Sequence, residues 1–345
     1  MGLIRILLMA IFPIAISLLV FHGIEAFDDG LVLFPDYYKN SCPQAERIVR
    51  QQVRIAIRKD PRMAASLLRL HFHDCFVLGC DGSILLDSID GIESEKGAVQ
   101  NIYSIRGFDV VDKIKELLEK KCPETVSCAD ILAIAARDAV QLRGGPQWKV
   151  ELGRRDSLKA SLNDANLNIP SPNSTLEVLI SNFEAQGLSF VDLVTLSGSH
   201  TIGKSRCLSF KDRIYHEDET DVPIHSEVDH NHKRSSMFRR ILRSICPRSD
   251  KRDEALVPLD FMTSAKFDNT YYINLLQDKG LLESDNVLIS QDPGGEIVKL
   301  VWTYASDQRR FFKEYKLSIV KMGRINPLVG DEGEIRRNCS LVNSW

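Results

Sequence analysis

The spacing of apolar residues along the chain predicts a mainly helical protein. Apolar side chains recur three and four positions apart in eight stretches, and this period places them on one face of an α-helix. The stretches are residues 45–59, 63–73, 107–121, 128–143, 175–186, 189–196, 237–245 and 296–321. Ser127 precedes the stretch 128–143 and Ser189 begins the stretch 189–196, each with an aspartate three residues later, as expected at a capped helix start.

Strand signals are scarce, and the clearest is residues 148–152, which follow a Gly-Gly-Pro sequence. We therefore predict an all-α fold, mainly helical with short β-hairpins. Residues 215–233 are polar and have little apolar surface to bury, which predicts a solvated loop. A surface metal site is the alternative for this stretch, but its histidines match no common ligand spacing. They are His216, His225, His230 and His232.

The N-terminal segment, residues 1–26, has the layout of a secretory signal peptide. Arg5 supplies a positive start, residues 6–20 form an apolar run, and small residues follow. A membrane anchor is the alternative, but a span needs about 20 apolar residues, and Pro13 interrupts this run. We expect cleavage at the end of the segment and a secreted mature protein of residues 27–345 with no membrane anchor.

Net charge and cysteine content exclude few classes of function. A net charge of −3, from 44 basic and 47 acidic residues, argues against nucleic acid as the main partner. The eight cysteines predict disulfides in an oxidising compartment, since the alternative of zinc binding lacks a C-x-x-C pair. Eight cysteines allow about 105 pairings, so their order leaves the connectivity open. Asn173 and Asn338 lie in N-glycosylation acceptor sequences.

Polar residues inside the predicted helix 63–73 suggest chemistry. Arg69, Phe72 and His73 stand at positions i, i+3 and i+4, so their side chains project from one face. Such a histidine–arginine pair could move a proton between two oxygens and stabilise the negative charge that develops as an O–O bond breaks. The alternative is a helix-end arginine beside a structural histidine. His71 lies off this face and is expected to be structural.

The residues that follow this helix offer oxygen ligands. Asp74, Asp81 and Ser83 combine with the backbone carbonyls of Val77 and Gly79 in a short loop. A hard cation such as calcium prefers ligands of this kind. A disulfide between the two cysteines of the loop would hold it tightly. The alternative is an ordinary turn rich in aspartate and glycine.

These segments resemble a known family. Residues 69–83, RLHFHDCFVLGCDGS, are similar to the distal signature of the secretory plant-type (class III) haem peroxidases. Residues 193–203, LVTLSGSHTIG, resemble the proximal haem-ligand motif of that family. The similarity runs from about Tyr37 to the C-terminus. It implies a two-lobed α-helical fold for residues 27–345, with one haem b between a distal and a proximal lobe.

The resemblance implies roles at the haem. His200 would bind the iron, and Asp285 would accept a hydrogen bond from it, which makes the imidazole a stronger electron donor. His73 would be the distal acid/base and Arg69 the stabiliser of the transition state. The other implied roles belong to Asn101, which would orient the distal histidine, Phe72 at the haem edge, and Pro170 as the substrate-access proline.

The resemblance also implies two calcium sites and a disulfide pairing. The distal calcium would take Asp74, Val77, Gly79, Asp81 and Ser83, with Glu95 acting through water. The proximal calcium would take Thr201, Asp260, Thr263, Lys266 through its carbonyl, and Asp268. The implied disulfides are Cys42–Cys122, Cys75–Cys80, Cys128–Cys339 and Cys207–Cys246.

The chain departs from the family pattern at a few positions. Ser199 stands where glycine is frequent, and Ser264 where proline is usual. Leu259 stands where relatives that hold an oxidising equivalent on a proximal residue have tryptophan. The segment 207–246 is longer than in typical members. Because the resemblance places this segment beside the access side of the haem, we expect its length to affect substrate preference rather than catalysis.

From the resemblance we expect an enzyme that reduces hydrogen peroxide to water while oxidising small phenolic donors in one-electron steps, as a secreted monomer. Two other classes of protein are the alternatives. A haem-binding or redox-sensing protein without turnover would need a defect among the haem-site residues, and none is visible. A zinc hydrolase that uses His71 and His73 lacks a third ligand nearby.

Overall fold

The computed structural model describes residues 33–89, 91–216, 229–292 and 294–343. The predicted signal peptide lies outside these described residues, which contain thirteen α-helices. The helices are α1 (Ala45–Lys59), α2 (Met63–Cys75), α3 (Phe108–Glu119), α4 (Cys128–Leu142), α5 (Leu162–Asn168), α6 (Leu176–Ala185), α7 (Phe190–Ser197), α8 (Lys211–His216), α9 (Asp229–Ile245), α10 (Thr270–Leu276), α11 (Glu283–Ser290), α12 (Glu296–Ser306) and α13 (Gln308–Met322).

Helix α4 is the centre of the first half of the chain. Ser127 caps it by accepting a hydrogen bond from the backbone N–H of Asp130, as the sequence predicts. The helix is buried on all sides from its first residue to Val140 because five alanines let α1, α2 and α3 approach it. Helix α1 turns Val49, Val53 and other residues four positions apart toward it, so an amphipathic helix covers an apolar one.

The second half packs around aromatic side chains from α10, α12 and α13. The rings of Tyr272 and Phe311 meet edge to face with centroids 5.0 Å apart, a favoured geometry for buried rings. One hydrophobic core runs continuously from α1 to α13. The prediction of a mainly helical fold is therefore confirmed.

The sheet is small. Strands β1 (Lys204–Arg206) and β2 (Leu256–Pro258) pair antiparallel. Helices α8 and α9 lie between the two strands in the chain, so a long connection joins them rather than a tight turn. Beside the sheet, a second apolar cluster surrounds the Cys207–Cys246 disulfide and includes Leu281 and Leu282, just before α11.

Three sequence predictions need correction. Residues 148–152 form no strand. Among the described residues their one bridge of backbone hydrogen bonds joins Leu152 to Phe34, and the side chains of Trp148, Val150 and Leu152 pack on the helical core instead. The predicted helix 296–321 is two helices, since Asp307 leaves the helical conformation and caps α13 by accepting from the backbone N–H groups of Arg309 and Arg310.

The prediction of a loop over residues 215–233 is wrong at both ends, where the structure has helices. Helix α8 runs to His216, and helix α9 begins at Asp229; residues 217–228 lie outside the described part. Phe238 and Leu242 of α9 are buried in the apolar cluster beside the disulfide. Once these residues hold the helix, extending it into polar sequence costs little, because helix propagation is easier than nucleation.

All eight cysteines pair. The disulfides are Cys42–Cys122, Cys75–Cys80, Cys128–Cys339 and Cys207–Cys246, which are the pairs that the resemblance implies. Asp156 reinforces the long-range Cys128–Cys339 bond. Its carboxylate accepts hydrogen bonds from the backbone N–H groups of Cys128 and Ala129 at the start of α4, and from that of Arg336 near the C-terminus.

Among the described residues, no helix has both the length and the apolar character that a membrane span requires.

Gly198 lies where α7 meets the short turn that holds His200, and this position has no room for a side chain. A Cβ there would lie 2.4 Å from Tyr272 Oη and 2.7 Å from the Phe311 ring. We expect Gly198→Ala to lower the free energy of unfolding by about 1–3 kcal/mol, as overpacking does, measured by urea denaturation. Gly97→Ala is the control, since its Cβ would make an ordinary contact at 3.7 Å. Equal stability of the two variants would contradict the prediction.

Candidate active site

Helix α2 places a guanidinium and an imidazole one turn apart. Arg69 Nε donates a hydrogen bond to His73 Nε2 at 3.1 Å. His73 is buried, and Arg69 is half-buried. Because Nε2 of His73 accepts this bond, the imidazole is neutral and carries its proton on Nδ1.

Asn101 holds that second nitrogen of His73. The Nδ1 atom lies 2.5 Å from Asn101 Oδ1, so the imidazole N–H donates to the amide oxygen. The amide nitrogen of Asn101 donates in turn to the backbone carbonyl of Glu95 at 2.8 Å. This second bond fixes which way the amide faces, and the imidazole is thereby held in one orientation and one tautomer.

The electrostatics of the pair favour a neutral base beside a cation. Burial lowers the pKa of His73 well below its usual value, and the charge of Arg69 lowers that pKa further, while the bond to Asn101 opposes the shift. Burial also lowers the pKa of Arg69 to about 10, with a contribution from Arg206, so the guanidinium stays charged at neutral pH. His73 can therefore take up a proton while Arg69 stabilises negative charge nearby.

Arg69 has two further hydrogen-bond partners that the sequence did not predict. Its Nη2 atom donates to the backbone carbonyl of Gln100 at 2.6 Å and to Ser104 Oγ at 3.2 Å. Both lie on the same loop as Asn101, so one loop orients both members of the pair. Neither carries a sequence signal, because one contributes a backbone atom and the other is an ordinary serine. Within the described residues Arg69 has no carboxylate partner.

The two remaining ring residues of α2 differ in setting. The half-buried Phe72 meets His73 edge to face, with ring centroids 5.3 Å apart. His71 is buried, and its Nδ1 lies 3.6 Å from Cys75 Sγ. Burial lowers the pKa of His71 to about 3, so this histidine is a neutral interior residue.

A second histidine lies at the end of α7, whose start is fixed by the capping box of Ser189 and Asp192. The chain then forms the short 3-10 turn Gly198–Thr201, and His200 Nδ1 lies 2.8 Å from Asp285 Oδ1. Because Nδ1 is committed to the carboxylate, Nε2 is the nitrogen available to a ligand. The His200 side chain is 37% exposed, so this nitrogen is accessible.

Asp285 is held firmly in the first turn of α11. Its Oδ2 accepts from the backbone N–H of Leu282 at 3.1 Å. Its Oδ1 accepts from His200 and also from Tyr271 Oη, at 3.0 Å. Sequence reasoning missed Tyr271, because no local motif marks it and it lies 14 positions before Asp285 in the chain.

The loop after α2 gathers buried carboxylates. Asp74 and Glu95 are fully buried, and Asp81 nearly so. Burial raises the pKa of Asp74 well above its usual value, with a contribution from Asp81, and burial raises the pKa of Glu95 to about 8. Asp74 Oδ1, Ser83 Oγ and Glu95 Oε2 have no hydrogen-bond partner. Unpartnered buried oxygens of this kind suit a hard cation.

Val77 and Gly79 lie in the same loop. Val77 is buried and donates its backbone N–H to the Asp74 carbonyl. Gly79 has φ of 129° and packs against Asn326 so closely that a Cβ would lie 2.2 Å from the Asn326 carbonyl oxygen. The loop therefore depends on glycine here, which leaves its backbone carbonyls in a fixed arrangement.

The second predicted calcium set is also brought together. The hydroxyls of Thr201 and Thr263 each donate to Asp260 Oδ2 and Asp268 Oδ1, over 3.0–3.3 Å. Lys266 contacts Asp268 through its ammonium group at 3.3 Å. Within the described residues, no group of three His, Cys, Asp or Glu side chains could hold a metal ion alone, so hydroxyls and backbone carbonyls would have to complete either site.

The segment after His200 approaches the helix that carries Arg69. A Cβ on Gly203 would lie 3.0 Å from the Cβ of Ala65 on α2. The Ile169 side chain packs with Ala98 and with Val77 in the loop after α2, and the half-buried Pro170 follows it. The chain three residues after His200 therefore packs against α2, four residues from Arg69.

Comparisons with known proteins show the family to which the chain belongs. The family model described as Peroxidase matches residues 49–307. The chain is 56% identical to Peroxidase 20 of Arabidopsis thaliana over 331 residues, which cover 95% of this chain and 97% of that protein. It is 51% identical to Peroxidase 49 of Arabidopsis thaliana, with 96% and 98% of the two chains covered. The chain therefore belongs to the peroxidase family, as a plant-type haem enzyme that uses hydrogen peroxide to oxidise donor molecules.

Proposed function

We propose that this chain binds one haem b through His200 and uses hydrogen peroxide to oxidise small phenolic donors by one-electron steps. The observation that carries the proposal is the hydrogen-bonded series from Arg69 through His73 and Asn101 to Glu95. It combines a neutral, oriented base with a fixed cation. A second hydrogen-bonded pair, His200 and Asp285, would supply the ligand to the iron.

The residues present fit a haem. His200 offers an accessible Nε2, and its Nδ1–H is held by a carboxylate, which is the usual arrangement behind a histidine that ligates a metal. Arg69 is a half-buried cation without a carboxylate partner in the described chain. Such a cation suits a site in which negative charge arrives with the ligand or develops during the reaction.

His73 would handle the proton of hydrogen peroxide. Its Nε2 lone pair accepts the Arg69 Nε–H in this structure. When peroxide replaces that donor, Nε2 can accept a proton from the nearer peroxide oxygen and return it to the leaving oxygen as water forms. Asn101 keeps Nδ1 protonated during both transfers because its oxygen accepts the Nδ1–H. Arg69 would stabilise the charge on the leaving oxygen.

Haem, when bound, would supply the redox chemistry that the protein side chains lack. His200 would hold it through Nε2, and the bond to Asp285 would strengthen that histidine as an electron donor. Each peroxide yields two waters, and two donor molecules each lose one electron and one proton. Phe72, at the proposed haem edge, and Pro170, which follows Ile169, are the residues that we propose to meet the donor.

We further propose that calcium occupies both oxygen clusters. The distal ion would bind Asp74, Asp81 and Ser83 with the carbonyls of Val77 and Gly79, and Glu95 would act through water. The unpartnered oxygens of Asp74, Ser83 and Glu95 support this assignment. The proximal ion would bind the set that contains Thr201, Asp260, Thr263, Lys266 and Asp268.

Location and assembly complete the proposal. Residues 1–26 would direct secretion, and residues 27–345 would form one structural unit that acts as a monomer outside the cell. The continuous core from α1 to α13 supports a single unit, and four disulfides suit an oxidising compartment.

The two alternatives from the sequence are not favoured. A haem protein without turnover would need a broken distal site, whereas Arg69, His73 and Asn101 are all in place. A zinc hydrolase would need His71 and His73 to converge on one ion, whereas the former faces Cys75 and the latter faces Asn101.

Replacing His73 tests its role as the base. We expect His73→Ala to slow the reaction with peroxide at least about 10²-fold, a typical loss for general acid–base catalysis, measured by stopped-flow absorbance at the Soret band. His71→Gln is the control, because that ring lies on the same helix but touches neither Arg69 nor Asn101. An unchanged rate in His73→Ala, with the Soret band intact, would refute the assignment.

Asn101→Val tests the orientation of the base. Loss of one hydrogen bond is worth about 0.5–1.5 kcal/mol, so we expect the same rate to fall about 2- to 12-fold. The bond to Asn101 raises the pKa of His73, so its removal lowers that pKa. The acid limb of the pH–rate profile should therefore move to lower pH. A shift to higher pH would contradict this role.

Calcium removal tests the oxygen clusters. A ligand at a hundredfold excess over its Kd stabilises the folded state by about 2.7 kcal/mol, so chelation should lower the melting temperature measurably. Asp74→Asn should weaken this dependence on calcium, whereas Asp109→Asn, an exposed position outside both clusters, should retain it. Identical melting of the parent protein with calcium and with chelator would exclude the calcium proposal.

A further inference from the structure

The carboxylate behind His200 has two donors on a single oxygen. Asp285 Oδ1 accepts from His200 Nδ1 at 2.8 Å and from Tyr271 Oη at 3.0 Å. The other oxygen accepts the backbone N–H of Leu282 at 3.1 Å. Tyr271 and His200 therefore share the electron density of the same oxygen.

The position of Tyr271 leaves its hydroxyl no access to water. The residue is 2% exposed on α10, and its ring meets that of His200 at 81° with centroids 6.1 Å apart. It also meets the ring of Tyr272 edge to face, with centroids 5.1 Å apart. One side chain thus packs against the imidazole and donates to the carboxylate that holds it.

A donor to a carboxylate makes that carboxylate a weaker acceptor for its other partner, because the same negative charge is divided between them. The hydroxyl of Tyr271 therefore weakens the pull of Asp285 on the Nδ1–H of His200. The imidazole then carries less negative charge at Nε2. Hydrogen bonding behind an axial ligand in this way adjusts the reduction potential of a bound iron.

We propose that Tyr271 is a positioning residue that moderates the Asp285–His200 hydrogen bond and thereby raises the Fe(III)/Fe(II) reduction potential of the bound haem. This inference rests on the proposed binding of haem through His200. It adds a third member to the proximal series, and it explains why a tyrosine rather than a phenylalanine lies at this buried position.

Tyr271→Phe removes the hydroxyl and keeps the ring. In the haem-loaded protein we expect the reduction equilibrium to shift toward the ferric form by about three- to tenfold, the size of one lost hydrogen bond. A tenfold change is 59 mV for one electron, and the midpoint potential should become more negative. Potentiometric titration followed at the Soret band measures it. The iron–histidine stretching frequency of the ferrous protein, by resonance Raman spectroscopy, should rise.

Tyr304→Phe is the matched control. Tyr304 is fully buried and its hydroxyl bonds to Thr195 Oγ1 at 2.8 Å, so the variant loses an interior hydroxyl bond without touching Asp285 or His200. We expect its potential to match that of the parent protein. An equal shift in both variants would show a general packing effect and would overturn the inference.

A second substitution reverses the expected sign. Incorporating 3-fluorotyrosine at position 271 keeps the hydroxyl and makes it a stronger donor, so the potential should become more positive. This arm also decides the matter if Tyr271→Phe does not fold. An unchanged potential, or the opposite sign, in a protein with an intact Soret band overturns the role of Tyr271. A parent protein that forms no Soret band with haem would instead contradict the proposed function.

Discussion

Helix α2 carries an arginine, two histidines and an aspartate into or beside the protein interior, where each polar group needs a partner. An unpartnered buried polar group costs several kcal/mol in an apolar setting. The surrounding loops supply partners to these side chains, apart from Asp74 Oδ1, which lies in the proposed calcium site. Asn101 and Gln100 serve His73 and Arg69, and the backbone N–H of Gly82 serves Asp74. The geometry needed for proton transfer is therefore a consequence of satisfying buried polar groups.

The same requirement shapes the proximal side. Asp285 is almost fully buried, and its donors come from three separate places: the turn after α7, helix α10 and the residue before α11. Each donor restricts the carboxylate, and the carboxylate restricts His200. The rigidity of the ligand thus comes from several elements that meet at one side chain.

Where the sequence reading was wrong, local pattern competed with tertiary packing. Residues 148–152 alternate as a strand does, yet their alternate side chains fit between helices and the structure supplies no neighbouring strand. The apolar period of 296–321 continues across Asp307, whose carboxylate nevertheless caps a new helix. The predicted loop at 215–233 overlaps two helices because its flanks are anchored in a buried cluster.

By itself the sequence determined the helical class, the capped starts of α4 and α7, and the pair of Arg69 and His73 on one helix face. These features depend on residues within a few positions of one another, so local periodicity reveals them. Through resemblance it also pointed to Asn101, His200 and Asp285. Only the tertiary structure decided the partners of Arg69 on the Gln100–Ser104 loop and the second donor to Asp285 from Tyr271. Those contacts join residues far apart in sequence, through backbone atoms or an ordinary side chain, and only the packing of the helices brings them together.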